Sequence, residues 1–460
     1  MQAQVTVIGG GPGGYVAAAR AAQLGATVAL VEGRELGGTC LNRGCIPTKA
    51  LLRSVEVYRL ARAGKEYGVT AETVSFDWLK AQARKGRVVK QLRAGVEGIM
   101  ANRGVQVVAG WGRLASPTLV EVETAKGTIA IDTGKVIIAT GSVPARVPIP
   151  GTEGAGIITS DEALELDHVP ASLVVIGGGA IGLEFAFLFN ALGAQVTVVE
   201  MLPHVLPAED DEIADELTRA LKKQGVSIFS PAQVKGIADG PQGKQVTIAA
   251  AAGEKTLDCE YVLMAVGRTP NLERLGADAL GLARERRALA VNERMETNLP
   301  GVYAVGDAIG GMLLAHVASA EGKVAAANAL GGKHAMRYRA VPACLYTTPE
   351  VASVGVSESE ATARGVACRV ARTNFRAIGK AVAMGERDGL AKIVAEQETG
   401  RVLGAQIIGP HATDLVAEAA LAIETGVTAG QLAETIHAHP TLSESLLEAA
   451  EGVLGLAIHG

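Results

Sequence analysis

Aromatic side chains and cysteines are scarce in this chain, basic residues are in no excess, and no long apolar run opens it. Five cysteines in 460 residues are too few for a fold stapled by disulfides, and a 48% share of hydrophobic side chains makes staples unnecessary. Two to four packed domains can form without them. A formal net charge of -5 and a pI near 6.0, with no block of like charges, set aside phosphate-backbone binding, so nucleic acid is not expected as a partner. The N-terminal stretch MQAQVTVIGGGPGG has no basic residue ahead of its apolar run, and that run, of about four residues, is far shorter than a signal or membrane helix. A soluble, cytoplasmic protein without a membrane partner is expected. The aromatic share of 3% bears on no particular function.

Glycine is what the chain has in quantity, and its spacing repeats. Val5 to Ile8 reads as a short apolar strand, followed by Gly9-x-Gly11-x-x-Gly14, an alanine-rich helix over Tyr15 to Leu24, and a strand ending at Glu32. The same order returns 168 residues later, with a strand Leu173 to Ile176, Gly177-x-Gly179-x-x-Gly182, a helix to Leu192 and a strand ending at Glu200. In each copy the acid follows the first glycine by 23 residues, and LGATVALVE answers LGAQVTVVE. One GxGxxG among 57 glycines could be any tight turn. Two of them, each between a strand and a helix with an acid at the ribose distance, mark two dinucleotide sites. The glycines allow the turn and close backbone approach, and the helix N-terminus offers free N–H groups to a pyrophosphate. A carboxylate at the end of the second strand binds a ribose 2′-OH and repels a 2′-phosphate. Glu200, followed by Met201 and Leu202 and no arginine, therefore selects NAD over NADP.

Residues 37–49 read GGTCLNRGCIPTK and hold Cys40 and Cys45. Zinc would need two more ligands, and Cys259, Cys344 and Cys368 stand alone with no histidine paired to any of them, so no metal is expected. Structural disulfides are rare in the cytoplasm. The intervening residues, Asn42 and Gly44 among them, can close a small disulfide ring. Pro47 suits the first turn of a helix, which puts Cys45 at a helix N-terminus, where the dipole favours a thiolate, with Lys49 one turn further on the same face. Two inert buried thiols are the alternative; the pattern reads as a redox-active disulfide. A cofactor that exchanges electrons with both a dithiol and a nicotinamide is a flavin, so the first site, with Glu32 for its ribose, suits FAD.

GGTCLNRGCIPTK resembles the active-site signature of the pyridine nucleotide-disulfide oxidoreductases. So do IGGGPGGYVAAARAAQLG, ATGS at 139–142, GGGAIGLEFA, VGRTPN at 266–271, TNLPGVYAVGDA at 297–308, LAH at 314–316, TTPEVASVG at 347–355 and HAHPTLSE at 437–444, in family order over nearly all 460 residues. The resemblance implies that Cys45 faces the flavin and Cys40 exchanges with substrate. It implies that Lys49 pairs with Glu184 beside the flavin, that Asp307 binds the FAD ribityl chain, and that Gly141, Ala315 and Gly267 contact cofactor. It also implies a base pair of His439 and Glu444 at the disulfide. From spacing alone His439 would be a loop residue; the two histidines of HAH, at i and i+2, would not share a helix face as metal ligands. Glu444 could hold one ring nitrogen and leave the other as an acceptor, while His437 is given no role. Arg43 and Thr48 depart from the residues the family often has there, and Arg43 could alter the potential or the entrance.

The expected fold class is α/β, with two Rossmann-like dinucleotide-binding domains and an α+β C-terminal dimerisation domain. Residues 1–147, completed by 271–341, would bind FAD, 148–270 would bind NAD, and 342–460 would form the interface of a homodimer. The implied reaction oxidises a dihydrolipoamide carried on the lipoyl domain of a 2-oxo-acid dehydrogenase complex or of the glycine cleavage system, with NAD+ as acceptor. Glutathione and mercuric reductases are the rivals within the family. The first would want arginines near Glu200, and the second typically carries a further C-terminal cysteine pair, absent here. A flavin-dependent NADH-sensing interaction protein is the rival outside it.

Overall fold

Strands Gln106–Ala109, Val28–Glu32, Gln2–Ile8, Gly127–Ile138 and Val302–Ala304 lie side by side in a parallel sheet, in a computed structural model that describes residues 1–459. Val5, Val7, Leu30 and Ile137 are fully buried, because a parallel sheet is covered on both faces and its strands are apolar without alternation. The N-terminal half of Gly127–Ile138 leaves this sheet and pairs antiparallel with Leu119–Thr124, which pairs with Trp111–Ser116. That meander covers one face through Leu114, Val120, Val122 and Ile131, and helix Pro12–Gln23 packs on the other.

A second parallel sheet runs Ser227–Phe229, Gln195–Val199, Ser172–Ile176, Tyr261–Met264 and Ile157–Ile158. It too carries an antiparallel meander, Ala232–Gly240, Gly243–Ala250 and Gly253–Cys259, packed on Val174, Ile176 and Val262 through Val234, Val246 and Ile248. The duplication therefore extends past the glycine motifs to the sheet that covers each unit. The strand pairing Ser142–Pro144 with Arg268–Pro270 joins the two units where the chain crosses between them.

The first motif helix begins earlier than the sequence suggests, and both end one residue sooner. The first is Pro12–Gln23, not Tyr15–Leu24, because Pro12 takes the first helical position and Gly13 and Gly14 fill the first turn. The second is Ala180–Ala191, with Leu192 as its cap. Within the motif TNLPGVYAVGDA the strand is Val302–Ala304, because Gly306 at φ +67° turns the chain into a short 3₁₀ segment, Gly306–Ile309, that carries Asp307.

The C-terminal sheet is antiparallel, in the order Ala343–Leu345, Glu350–Gly355, Val402–Gly409, Leu390–Glu396 and Cys368–Asn374. Helices Ala412–Thr425, Ala429–Glu434 and Glu444–Val453 pack on it around Ile393, Ile407 and Leu446. Among the described residues, no helix is long and apolar enough to cross a membrane.

Candidate active site

The turn after strand Gln2–Ile8 is made by a glycine that no other residue could replace without strain. Gly9 lies at φ +106°, and a Cβ there would meet Ala139 O at 2.2 Å; one on Gly14 would meet Gly9 O at 1.8 Å. Gly177 and Gly182 repeat this, at φ +106° and with Gly177 O at 2.1 Å. The middle glycines behave differently. Nothing lies within 4 Å of a Cβ on Gly179, and Gly38 Cα, at 3.8 Å, is the nearest neighbour on Gly11. Each loop thus presents bare backbone on its open side, at the start of a helix, which is the shape a pyrophosphate requires.

The two acids are held alike. Glu32 accepts from the N–H groups of Gly10 and Arg34, both at 2.7 Å, and Glu200 accepts from those of Gly178 at 2.6 Å and Leu202 at 2.8 Å. Each carboxylate is pinned at the mouth of its own loop, with lone pairs left for a ribose. These residues fit the two dinucleotides that the sequence calls for.

From the first loop a cavity of about 520 Å³ leads inward, within the roughly 300–1,000 Å³ usual for ligand pockets. Its wall passes Glu32, Gly141 and Asp307, then Ala315, and reaches Cys40, Cys45, Lys49 and Glu184. Ala180 and Ile181 also line it, so the helix that starts at the second glycine loop meets the cavity that starts at the first. Gly14 lies behind the wall; Gly177, Gly179, Gly182, Glu200 and Gly267 belong to the second unit and do not line it.

Cys40 and Cys45 form a disulfide, their Cα atoms 4.7 Å apart. Cys45 is the first residue of helix Cys45–Ala63 and Pro47 the third, as the sequence suggests. The Lys49 ammonium lies 2.8 and 2.9 Å from the two Glu184 oxygens and 4.4 Å from the centre of the Tyr346 ring. The N–H of Tyr346 donates to Glu184 at 3.1 Å. Cys344 also lines the cavity, but burial first, and then Glu350 and Glu209, push its thiol up to about 11, so it stays protonated at neutral pH. Among the described residues no three His, Cys, Asp or Glu side chains are grouped to hold a metal ion.

Several residues that shape the site escaped the sequence reading. Ser142 donates to Asp307 at 2.5 Å and accepts from Arg268 at 2.7 Å. Both stand inside the quoted motifs ATGS and VGRTPN, yet nothing local marks them as partners. Glu321, 3% exposed, accepts from Gly306 N–H and from the Tyr338 hydroxyl, each at 2.7 Å, and so steadies the turn that carries Asp307. Arg43 pairs with Glu35 at 2.7 Å and lies 3.8 Å from Asp161.

His439 Nδ1 is 2.8 Å from Glu444 Oε1, in the loop ahead of helix Glu444–Val453. Burial acts against the Glu444 anion, but the Thr441 N–H and the His439 ring hold its carboxyl below the ordinary value. The His439 side chain is 77% exposed and does not line the cavity. The His437 side chain is only 5% exposed, bonded to Glu418 and to the Thr435 carbonyl, both at 2.8 Å.

The family model described as pyridine nucleotide-disulphide oxidoreductase matches residues 3–322, and that of the dimerisation domain of the same proteins matches 341–450. A dihydrolipoyl dehydrogenase of Bacillus subtilis (strain 168) is 43% identical over 99% of this chain and 98% of its own, and one of Geobacillus stearothermophilus is 43% identical over 100% and 98%. Among solved structures, LpdA from Mycobacterium tuberculosis superposes with a TM-score of 0.91 at 31% identity, over 98% of this chain and 99% of that one. The HOCl-induced flavoprotein disulfide reductase RclA from Escherichia coli gives 0.86 at 30%, over 97% and 99%.

Proposed function

The chain belongs to the pyridine nucleotide-disulphide oxidoreductase family, and on that premise we propose that it oxidises protein-bound dihydrolipoamide to lipoamide with NAD+ as acceptor. Its cofactors are FAD and NAD. The observation that carries the reading is one cavity whose wall joins the first glycine loop, the Cys40–Cys45 disulfide, the Lys49–Glu184 pair and the helix of the second glycine loop.

The first loop, Glu32, Gly141, Asp307 and Ala315 would hold FAD, and Gly177, Gly179, Gly182, Glu200 and Gly267 would hold NAD. Bound FAD supplies two-electron transfer between the enzyme dithiol and the nicotinamide. His439, oriented by Glu444, takes a proton from the substrate dithiol. The thiolate attacks Cys40, the Cys40–Cys45 bond breaks, and Cys45 departs as a thiolate. The second substrate thiol then displaces Cys40, leaving a cyclic disulfide and a reduced enzyme that has gained two electrons and two protons. Lys49 places a cation beside this chemistry and Glu184 fixes where that cation sits.

A dimerisation domain equips the chain to form a homodimer. His439 would then serve the disulfide of the partner subunit. The substrate arm would come from the lipoyl domain of a 2-oxo-acid dehydrogenase complex or of the glycine cleavage system, in the cytoplasm. The test is NADH formation from dihydrolipoamide, run in parallel with reduction of glutathione disulfide and of mercuric ion by NADH and NADPH. NADH formation should exceed both reductions; a preference for either reduction overturns the reading.

A further inference from the structure

The two cysteines are anchored unequally. Cys45 begins a helix of 19 residues whose Leu51, Leu52 and Val55 are buried. Cys40 sits in the six-residue helix Gly38–Arg43, of which Leu41 alone is buried. A helix that short has no stability of its own in water. While the disulfide is closed, the covalent bond ties the short helix to the long one. Once two electrons have opened it, noncovalent contacts decide how near the Cys40 thiol stays to Cys45.

The Asn42 side chain makes backbone contacts that span this short helix and the turn before it, which the Arg43–Glu35 pair also crosses. Its Nδ2 donates to the carbonyls of Gly38 at 2.9 Å, Leu36 at 3.0 Å and Glu35 at 3.5 Å. The turn is itself fastened, since Gly37 N–H donates to Gly10 O at 2.8 Å and a Cβ on Gly38 would lie 2.5 Å from Gly11 Cα. Asn42 therefore ties the Cys40 helix to a turn that is itself fastened to the first glycine loop. From helix Trp78–Asn102, Arg93 Nε donates to Asn42 Oδ1 at 2.9 Å. A guanidinium can only donate, so Arg93 decides which end of the amide faces the carbonyls.

We propose that Asn42, oriented by Arg93, is a positioning residue that holds the opened Cys40 thiol beside Cys45 and so raises the effective concentration at which the dithiol re-closes. This rests on the redox reading of the cysteine pair in the proposed function. Against a dithiol buffer the reaction is balanced: enzyme disulfide and reduced dithiothreitol give enzyme dithiol and oxidised dithiothreitol, with two electrons and two protons passing to Cys40 and Cys45. Loss of the mooring changes the closed form little, because the S–S bond still holds the helices together. It frees the open form, so the equilibrium moves toward the dithiol.

The test equilibrates the holoenzyme, without NAD and without oxygen, against set ratios of reduced and oxidised dithiothreitol. Acid quenching, alkylation and peptide masses then give the reduced fraction of Cys40 and Cys45, and thermal unfolding is recorded beside it. Asn42→Ala should raise the equilibrium constant for reduction about tenfold, equivalent to about 30 mV, and Arg93→Met about three- to fivefold. A merely structural role would lower the unfolding temperature and leave the equilibrium within about twofold of wild type, which would overturn the proposal. A shift in Asn42→Ala with none in Arg93→Met would remove Arg93 from it. A wild-type disulfide that no buffer ratio opens would overturn the proposed function, and this inference with it.

Discussion

Lys49 and Glu184 are 135 residues apart in sequence and joined by two contacts of 2.8 and 2.9 Å at the inner end of the cavity. The Glu184 side chain is only 8% exposed, whereas Lys49 is 32% exposed, so the pair costs more to break from the lysine side. Lys49→Met should destabilise the protein by about 1–3 kcal/mol, less than for a wholly buried pair, and lower NADH formation at least about tenfold. Glu184→Gln keeps an acceptor for Lys49 and for the Tyr346 N–H, and should cost about 1 kcal/mol or less. Thermal unfolding and steady-state turnover check both. Equal losses in the two variants would contradict the asymmetry.

Nucleotide preference should follow Glu200. Glu200→Arg removes the acceptor for a 2′-OH and offers a partner for a 2′-phosphate, a discrimination of about 1–3 kcal/mol, so the preference for NAD over NADP should narrow or invert. Comparing kcat/KM for the two nucleotides decides it. A wild type that used both equally would make the acid's role wrong.

The exposure of His439 and its absence from the cavity wall lead to a complementation experiment. Cys45→Ser and His439→Gln subunits, each inactive as a homodimer, are co-expressed in equal amounts. If base and disulfide belong to different subunits of one site, each mixed dimer carries one intact site, and random pairing should return about one quarter of wild-type activity. No recovery in dimers shown to be mixed would place both groups on the same chain.

Glu209 predicts a pH dependence of stability. Its Oε2 is enclosed without a partner, and burial, helped by Asp210 and Glu360 and opposed by a hydrogen bond from Ser353, pushes the carboxyl from 4.5 up to about 7. The folded state therefore holds this proton more tightly than the unfolded state. The stability this confers is complete below about pH 4.5 and is lost as the pH rises through about 7. Glu209→Gln should gain on wild type by about 1–3 kcal/mol at pH 8 and by little at pH 5, read as unfolding temperatures at the two values.

Much of the site could be read in the chain because its parts are local. A glycine loop, its helix and its acid lie within a stretch of 24 residues, and Cys40, Cys45 and Lys49 within ten, so spacing alone carries their geometry. The start of the first helix was misplaced for an equally local reason: Gly13 and Gly14 look like loop residues until the close approach of helix and strand is seen to require them inside the first turn.

By itself the sequence determined the two glycine-loop units, each with its acid, and the cysteine pair, since each depends on backbone turns and short-range spacing that hold wherever the segment lies. The tertiary structure alone decided that Tyr346 covers Lys49, that Ser142 and Arg268 hold Asp307, and that Arg93 orients Asn42. Those partners are separated by 39 to 297 residues, and no periodicity links them. They meet because buried polar groups must find hydrogen-bonding partners wherever sheet packing brings the chain together. Packing also decided that the helix of the second glycine loop, and not its strand, lines the cavity that holds the disulfide, which brings both halves of the duplication to one cavity.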